Sequence, residues 1–372
     1  MLYYTGGEEM DEFEVNVVKT MDETDKKCPQ CGGVMDFNPT TNNLKCPYCD
    51  YEEEIQLDTT QPTEAQELDF FEAEHTANKD WGVETKTVVC EACGAESVYD
   101  ALETAGVCPF CGSNQVMEAH AKDTIAPGGV IPFKVNDKQA AEYFQKWIKK
   151  QFFCPKLAKE SARPDSFQGI YLPYWTFDSK TATSYHGEYG IDHTKRKSNG
   201  ETYTETTWYR TSGNHSEFID DELVFAGKKQ SEAILKRLEP FDTKDNKPYK
   251  PEYIAGFISE RYSVGLKDAW EKAKISIKGK LRQHIEKDIR HDHNADRVRN
   301  VSLNVRYSDI TYKYLLLPIW ISTFKYNNQV YQFMVNGQTG KVAGKTPISI
   351  PKVILTVIAA IIIFMILTSM GD

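Results

Sequence analysis

Eight of the nine cysteines stand in four Cys-x-x-Cys pairs, and their spacing constrains the chain more than any other feature. The pairs are Cys28/Cys31, Cys46/Cys49, Cys90/Cys93 and Cys108/Cys111. Fourteen residues separate the first two pairs and fourteen the last two, and the whole pattern recurs at an offset of 62. Two thiolates on a tight knuckle can occupy two vertices of a tetrahedron, and a hairpin brings a second knuckle opposite. Glycine after the second cysteine, as in Cys28-Pro-Gln-Cys-Gly-Gly33, lets the backbone turn and aim amides at sulfur. Val34–Phe37 and Leu44–Cys46 read as strands around a polar turn, with Glu96–Tyr99 and Val107–Cys108 in equivalent places. Modules this small cannot fold on hydrophobic burial, so metal binding would supply on the order of 10 kcal/mol to each. The expectation is two structural Zn2+ ions held by all eight cysteines. The spacing is compatible with sites inside each module and with sites assembled between modules.

Disulfides and separate redox pairs are the competing readings, and compartment decides against them. Met1 to Lys27 is acidic and polar, with no basic n-region and no apolar h-region. A chain kept in the reducing cytosol favours metal over disulfides. The formal net charge is −10, and the segment Asp50–Asp80 accounts for it, with eleven acidic residues against one basic, Lys79. Such a segment beside the zinc modules repels phosphate backbones, which weighs against nucleic acid. His186-Gly187-Glu188 matches the His-x-Glu of zinc deaminases but follows every cysteine pair, the reverse of the required order. Four sulfurs per ion leave no vertex for water, so the sites read as structural. Cys154, in front of Pro155 and behind an aromatic run, reads as a buried thiol.

Val353–Met370 is an uncharged stretch of eighteen residues, eleven of them Val, Ile, Leu or Phe. As a helix it would span about 27 Å at ~1.5 Å per residue, close to a hydrocarbon core. Lys341, Lys345 and Lys352 precede it and only Gly371 and Asp372 lie beyond its end. The expectation is a single-pass anchor in the cell membrane, with the body cytoplasmic and the C-terminus across the membrane.

Residues 120–346 read as a mixed α/β body with weak internal duplication. A strand signal at Gly129–Val135 precedes a helix from Asp137, its proposed cap, to about Gln151, with Ala140, Tyr143, Phe144, Trp147 and Ile148 on one face. A second helix, about Leu266 to Ile289, carries the stripe Leu266, Trp270, Ala273, Ile277, Leu281, Ile285. Its eight basic and four acidic residues between 267 and 290 suit a solvated face over a sheet, or anionic lipid. Leu172-Pro-Tyr-Trp175 and Leu317-Pro-Ile-Trp320 follow the two helices, 145 residues apart, as strand starts with core indoles or as the walls of a ligand cleft. Asn327-Asn328 marks a hairpin turn. The fold class expected is α+β: two small β-rich ribbons, this body and one C-terminal transmembrane helix. The divisions are an acidic tail 1–27, ribbon one 28–57, an acidic linker 58–86, ribbon two 87–119, the body 120–346 and the anchor 348–370.

Catalytic motifs are absent from the sequence. Gly340-Lys-Val-Ala-Gly-Lys-Thr346 is one residue short of a P-loop, and there is no Gly-x-Ser-x-Gly or His-Glu-x-x-His. Arg290-His-Asp-His-Asn294 could hold a metal but closes a polar helix, where a solvated loop is the simpler reading.

With its ribbons, Leu-Pro-x-Trp segments and apolar tail, the chain resembles a bacterial family of membrane-anchored, transcription-factor-B-type double zinc-ribbon proteins. Members are loosely described as primosomal or replication-helicase-like. The resemblance covers most of the chain and is carried by Cys28–Cys49, Cys90–Cys111, Tyr253-Ile-Ala-Gly-Phe257, Leu317-Pro-Ile-Trp320 and Val335-Asn-Gly-Gln-Thr-Gly340. Some relatives are encoded near phage-shock-protein-A-like and SPFH-type or virion-core-like proteins, which implies a membrane scaffold in envelope stress. The missing phosphate loop gives the helicase description no support. The expected function is therefore a non-enzymatic, membrane-tethered adaptor that recruits a soluble protein partner. The alternatives are nucleic-acid binding through the ribbons, and a ligand-binding or enzymatic body for which no catalytic or cofactor-binding residue can be named.

Overall fold

The computed structural model describes residues 27–56, 62–73, 85–90, 96–100, 116–119, 125–161, 167–228, 230–327 and 329–369. Its strands are β1 (Asp36–Asn38), β2 (Asn43–Lys45), β3 (Glu52–Glu53), β4 (Leu68–Asp69), β5 (Thr85–Cys90), β6 (Glu96–Asp100), β7 (Val116–Ala119), β8 (Gly129–Val130), β9 (Gln168–Arg196), β10 (Thr202–Phe225), β11 (Lys247–Pro248), β12 (Ile258–Glu260), β13 (Arg297–Tyr326), β14 (Gln329–Asn336) and β15 (Val342–Gly344). The helices are α1 (Asp137–Lys150), α2 (Lys156–Ser161), α3 (Glu232–Leu238), α4 (Leu266–Asp292) and α5 (Ile350–Ser369). β1–β3 form the first ribbon, and the other strands make one twelve-stranded sheet.

That sheet corrects the expected fold class. Among the described residues strand outweighs helix, 41% to 28%, so the architecture is mostly β rather than an α+β assembly around a mixed body. The physical reason is strand length. Alternating Thr, Tyr, Phe and Val continue through β9, β10 and β13 for 29, 24 and 30 residues. β-branched and aromatic side chains suit a pleated surface, and nothing in these runs supplies the 3.6-residue period of a helix.

The two Leu-Pro-x-Trp segments lie opposite each other. β9 and β13 pair antiparallel, with Leu172 across from Leu317, Pro173 from Leu316 and Tyr171 from Pro318. A proline has no amide to donate, which usually bars it from a central strand. Each proline here occupies a gap in the far-side pairing. β9 pairs in parallel with β12 up to Tyr171, then with β10 from Tyr174 onward, and Pro173 lies between. β13 pairs in parallel with β8 up to Leu316, then with β14 from Ile319, and Pro318 lies between. Two units of short strand, helix, long strand and return strand have thus exchanged their short strands.

The tryptophans repeat the exchange. Trp175 donates from Nε1 to Val264 O at 2.9 Å, and Trp320 to Val135 O at 2.8 Å. Each acceptor immediately precedes the N-cap of the other unit's helix, Gly265 for α4 and Asn136 for α1. Asn136, not Asp137, caps α1, in a capping box with Gln139. Both indoles are buried, which makes them core rather than cleft.

Strand alternation sends successive residues to opposite faces. Tyr171, Trp175, Phe177, Tyr312 and Tyr314 pack with the α4 stripe and the first ribbon. Ile170, Leu172, Tyr174, Leu315, Leu317 and Ile319 pack with Ile234, Leu235 and Leu238 of α3. Beyond Ser179 the long strands continue as an arm along which α4 runs, Ile277, Leu281, Ile285 and Ile289 turned inward. Asp221, Asn300 and Asp309 take left-handed conformations where the arm's register shifts, as β-bulges require. The basic face of α4 is held by acids: Lys272 meets Glu232, Lys274 meets Glu271 and Lys280 meets Glu222.

The Val335–Gly340 motif is a turn built from within. Asn336 is fully buried; its Oδ1 accepts from the amides of Gln338 and Thr339, and its Nδ2 donates to Leu238 O at 3.0 Å. Gly340 has φ +75°, and a Cβ there would lie 2.5 Å from the Tyr143 ring. The near-P-loop sequence is thus a tight turn followed by β15.

The expected membrane anchor is also corrected. α5 forms, but no helix among the described residues is long and apolar enough to cross a membrane. The first turn belongs to the body: Lys352 donates to Phe152 O at 3.0 Å and Cys154 O at 2.9 Å. The single-pass span, the membrane keywords and the membrane localisation with a cytoplasmic body therefore do not stand.

Candidate metal centre

Each half of the candidate centre is a knuckle closed by a left-handed residue. In the first, the Gly32 amide donates to Cys28 O at 2.8 Å, and Gly32 has φ +74°. In the second, the Asp50 amide donates to Cys46 O at 3.0 Å, and Asp50 has φ +58°. Aspartate tolerates this conformation better than most residues, so the two knuckles reach one geometry through different side chains. The ring of Tyr48 lies against Gly33, where a Cβ would fall 2.5 Å from it. Antiparallel β1 and β2, paired from Asp36–Lys45 to Asn38–Asn43, bring the knuckles together.

The four sulfurs of Cys28, Cys31, Cys46 and Cys49 lie within 4.8 Å of one another and could hold a metal ion. Cys28 Sγ is 3.4 Å from Cys49 Sγ, and Cys31 Sγ is 3.5 Å from Cys46 Sγ. A tetrahedral site with ~2.3 Å metal–sulfur bonds has edges of about 3.8 Å, so these two pairs need open by only tenths of an ångström. Cys28 and Cys46 are buried while Cys31 faces solvent. Burial pushes the Cys46 thiol up, but the amides of Tyr48 and Cys49 outweigh it and bring it to about 7. The Tyr51 amide acts the same way on Cys49, yet the crowding thiols, Cys28 first, push that group up to about 12. Four sulfurs this close cannot all ionise against one another, and a divalent cation is the charge that fits among them.

The ribbon is fixed to the body through the Tyr253–Phe257 segment. The Phe37 amide donates to Ala255 O at 3.1 Å, and the Phe37 ring meets Tyr253 edge-on at 5.8 Å. Gly256, at φ +78°, lets the chain pass Asp36, whose Oδ1 would lie 2.7 Å from any Cβ. Met35, Phe37 and Leu44 join the core that contains Trp175 and Trp270. Lys45, one of the few basic residues of the module, is bound to Asp50 at 2.9 Å and lies 4.0 Å from Glu52.

Among the described residues the structure thus assembles one four-cysteine cluster, within the first module, of the two sites expected. Cys90 ends β5, and Cys93, Cys108 and Cys111 lie outside the described residues. The backbone of that region extends the body's sheet: β5 pairs with β6 and β7, and β6 with β12. His186 and Glu188 line an open groove on the arm with Arg210 and Asn300, and Glu188 is held by Arg299 at 2.7 Å. His293, from the candidate Arg290–Asn294 motif, is stacked on Tyr189 at 4.0 Å. Cys154 is buried, and burial pushes its thiol up.

Two clusters escaped the sequence reading. One is an ionic group in which the buried Lys313 meets Asp221 at 2.9 Å and the exposed Glu67 at 3.2 Å, beside the buried Asp178. Its members are up to 246 positions apart, so no local signal could reveal it. The other joins His215 and Glu217 on β10 to His284 on α4. Its signal was present, a His-x-Glu at strand spacing and a His-x-x-x-Asp at helix spacing, but only as separate halves.

Among curated proteins the chain is similar to an uncharacterized protein, YdjG of Bacillus subtilis (strain 168), with 29% identity over 334 residues. The match covers 88% of this chain and 91% of that protein. No family model matches, and no solved structure matches.

Proposed function

We propose that this chain is a non-catalytic zinc-ribbon scaffold that binds a protein partner. The observation that carries the reading is the rigid docking of a four-sulfur cluster onto the body. A four-cysteine site filled by Zn2+ has no open vertex for substrate or water, so its contribution is shape and stability. Cys93, Cys108 and Cys111, with Cys90, would hold a second structural ion in the other module. Tyr48 and Phe71 are both more than three-quarters exposed, and aromatic side chains of this kind are enriched where protein partners bind.

Acidic surroundings favour protein over nucleic acid. Lys45 is engaged by Asp50 and Glu52, and Glu53, Glu54, Glu64 and Glu72 are exposed nearby in sequence. A surface of that sign disfavours phosphate backbones. The resemblance to double zinc-ribbon proteins supplies the partner class to try first, a phage-shock-protein-A-like or SPFH-type protein. The test compares the purified full chain with a Cys46→Ser/Cys108→Ser variant for binding each purified partner by calorimetry. Saturable binding that the variant loses supports the scaffold. Absence of protein binding, together with DNA binding whose affinity falls steeply with salt, would replace it with the nucleic-acid reading.

A further inference from the structure

A second candidate site lies on the arm, away from the cysteines. His215 and Glu217 are two residues apart on β10, so their side chains share one face. His284 and Asp288 are four apart on α4 and share a helix face. Glu217 Oε2 stands 3.2 Å from His215 Nε2 and 2.9 Å from His284 Nδ1. One atom from each of the three residues falls within 4.8 Å of the others.

We propose that His215 Nε2, Glu217 Oε2 and His284 Nδ1 form a divalent transition-metal site, with Zn2+ the ion that suits it. With metal–ligand bonds of ~2.0–2.2 Å, the edges of a tetrahedron are about 3.3 Å, close to both separations above. Two imidazoles and a carboxylate are the donor set of zinc, whereas calcium and magnesium call for oxygen alone. The other nitrogen of His215, Nδ1, is 3.4 Å from Asp288 Oδ2. A ligating histidine commonly gives its free N–H to a carboxylate, which fixes the tautomer that leaves the other nitrogen for metal. Asp288 is therefore the positioning residue.

The scaffold on either side is regular structure. The Glu217 carbonyl accepts from Thr181 Oγ1 at 2.7 Å, and Leu281 and Ile285 anchor the α4 turn that carries His284. His215 and Glu217 are 21% and 29% exposed and His284 is 52% exposed, so an ion can enter from solvent. Three protein ligands leave the fourth position to water, unlike the closed cysteine cluster. The site would pin α4 to β10 and does not depend on the scaffold reading.

The test is zinc content per full-length chain, measured by mass spectrometry of the element after equilibration in a zinc-buffered solution. His215→Ala/His284→Ala should lose one equivalent relative to wild type, while Cys46→Ser lowers the content independently. Asp288→Asn should weaken the affinity of this equivalent about 10- to 100-fold, as loss of an outer partner does. Cobalt distinguishes the two sites: the double-histidine variant keeps the thiolate charge-transfer band and loses visible absorption with no sulfur character. His284 lies on the solvent side of α4, so His284→Ala alone, checked for an unchanged circular dichroism spectrum, serves if the double variant misfolds. Equal zinc content and equal cobalt spectra in wild type and both histidine variants would overturn the proposal and leave a purely ionic tie between strand and helix.

Discussion

Gly256→Ala isolates the contact on which the candidate metal centre depends. A left-handed backbone costs a residue with a Cβ about 1 kcal/mol, and Gly256 has φ +78°. The new Cβ would also lie 2.7 Å from Asp36 Oδ1 and 2.8 Å from its Cγ. Relieving that overlap means moving Asp36, which begins β1 and precedes the docked Phe37, at a typical overpacking cost of about 1–3 kcal/mol. The two together come to roughly 2–4 kcal/mol, concentrated on the ribbon–body contact. The sensitive readout is hydrogen exchange at the Phe37 amide, which donates across that contact to Ala255 O. Its protection should fall roughly 30- to 1,000-fold, at tenfold per ~1.4 kcal/mol, while amides in the centre of β9 stay protected. Gly265→Ala is the control, because a Cβ there meets nothing within 4 Å and φ is −65°. If Phe37 protection is unchanged, or falls equally in both variants, the ribbon is not held by the Tyr253–Phe257 segment.

Trp320→Phe and Trp175→Phe should each destabilise by about 1–3 kcal/mol, because each leaves a buried carbonyl, Val135 O or Val264 O, without its donor; urea denaturation checks this. Chelation should remove metal from the first module and unfold it, a loss on the order of 10 kcal/mol for the module, read as collapse of Phe37 protection with the body retained. Lys313→Met should cost about 3 kcal/mol by stranding the largely buried Asp221 without its cation, again by denaturation. Burial, and then the neighbouring Glu67, push the Asp178 carboxyl from 3.8 up to about 7. Between those values the folded chain binds a proton that the unfolded chain has released. Stability should therefore fall as pH rises through this window, by at most about 1.4 kcal/mol per pH unit, and Asp178→Asn should remove that slope in denaturation curves taken from pH 4 to 8.

Much of the candidate centre was legible because its geometry is local. A Cys-x-x-Cys knuckle and its following glycine are set by a handful of dihedrals, and Cys28–Cys49 came together as the spacing implied. The stripe of α4 was readable for the same reason, since Trp270, Ala273, Ile277, Leu281 and Ile285 repeat at helix spacing and are all buried. The hairpin at Asn327 follows from a residue that tolerates φ +50°.

What the sequence could not decide was which distant segments meet. The duplication was visible as two Leu-Pro-x-Trp segments, but not that they pair with each other or that each unit lends its short strand to the other. Pairing across more than a hundred residues is settled by which prolines find gaps and which indoles find carbonyls, and those depend on the assembled sheet. The length of β9, β10 and β13 was hidden because alternation does not announce where a strand ends. The apolar run at 353–370 met every compositional test for a span, yet its first turn is tied to Phe152 and Cys154, and no helix among the described residues is long and apolar enough to cross a membrane. Residue types and spacing determined the four-sulfur chemistry. The tertiary structure alone decided that it sits inside one module, on a glycine-shaped seat, with His215 and Glu217 of β10 and His284 of α4 gathered elsewhere.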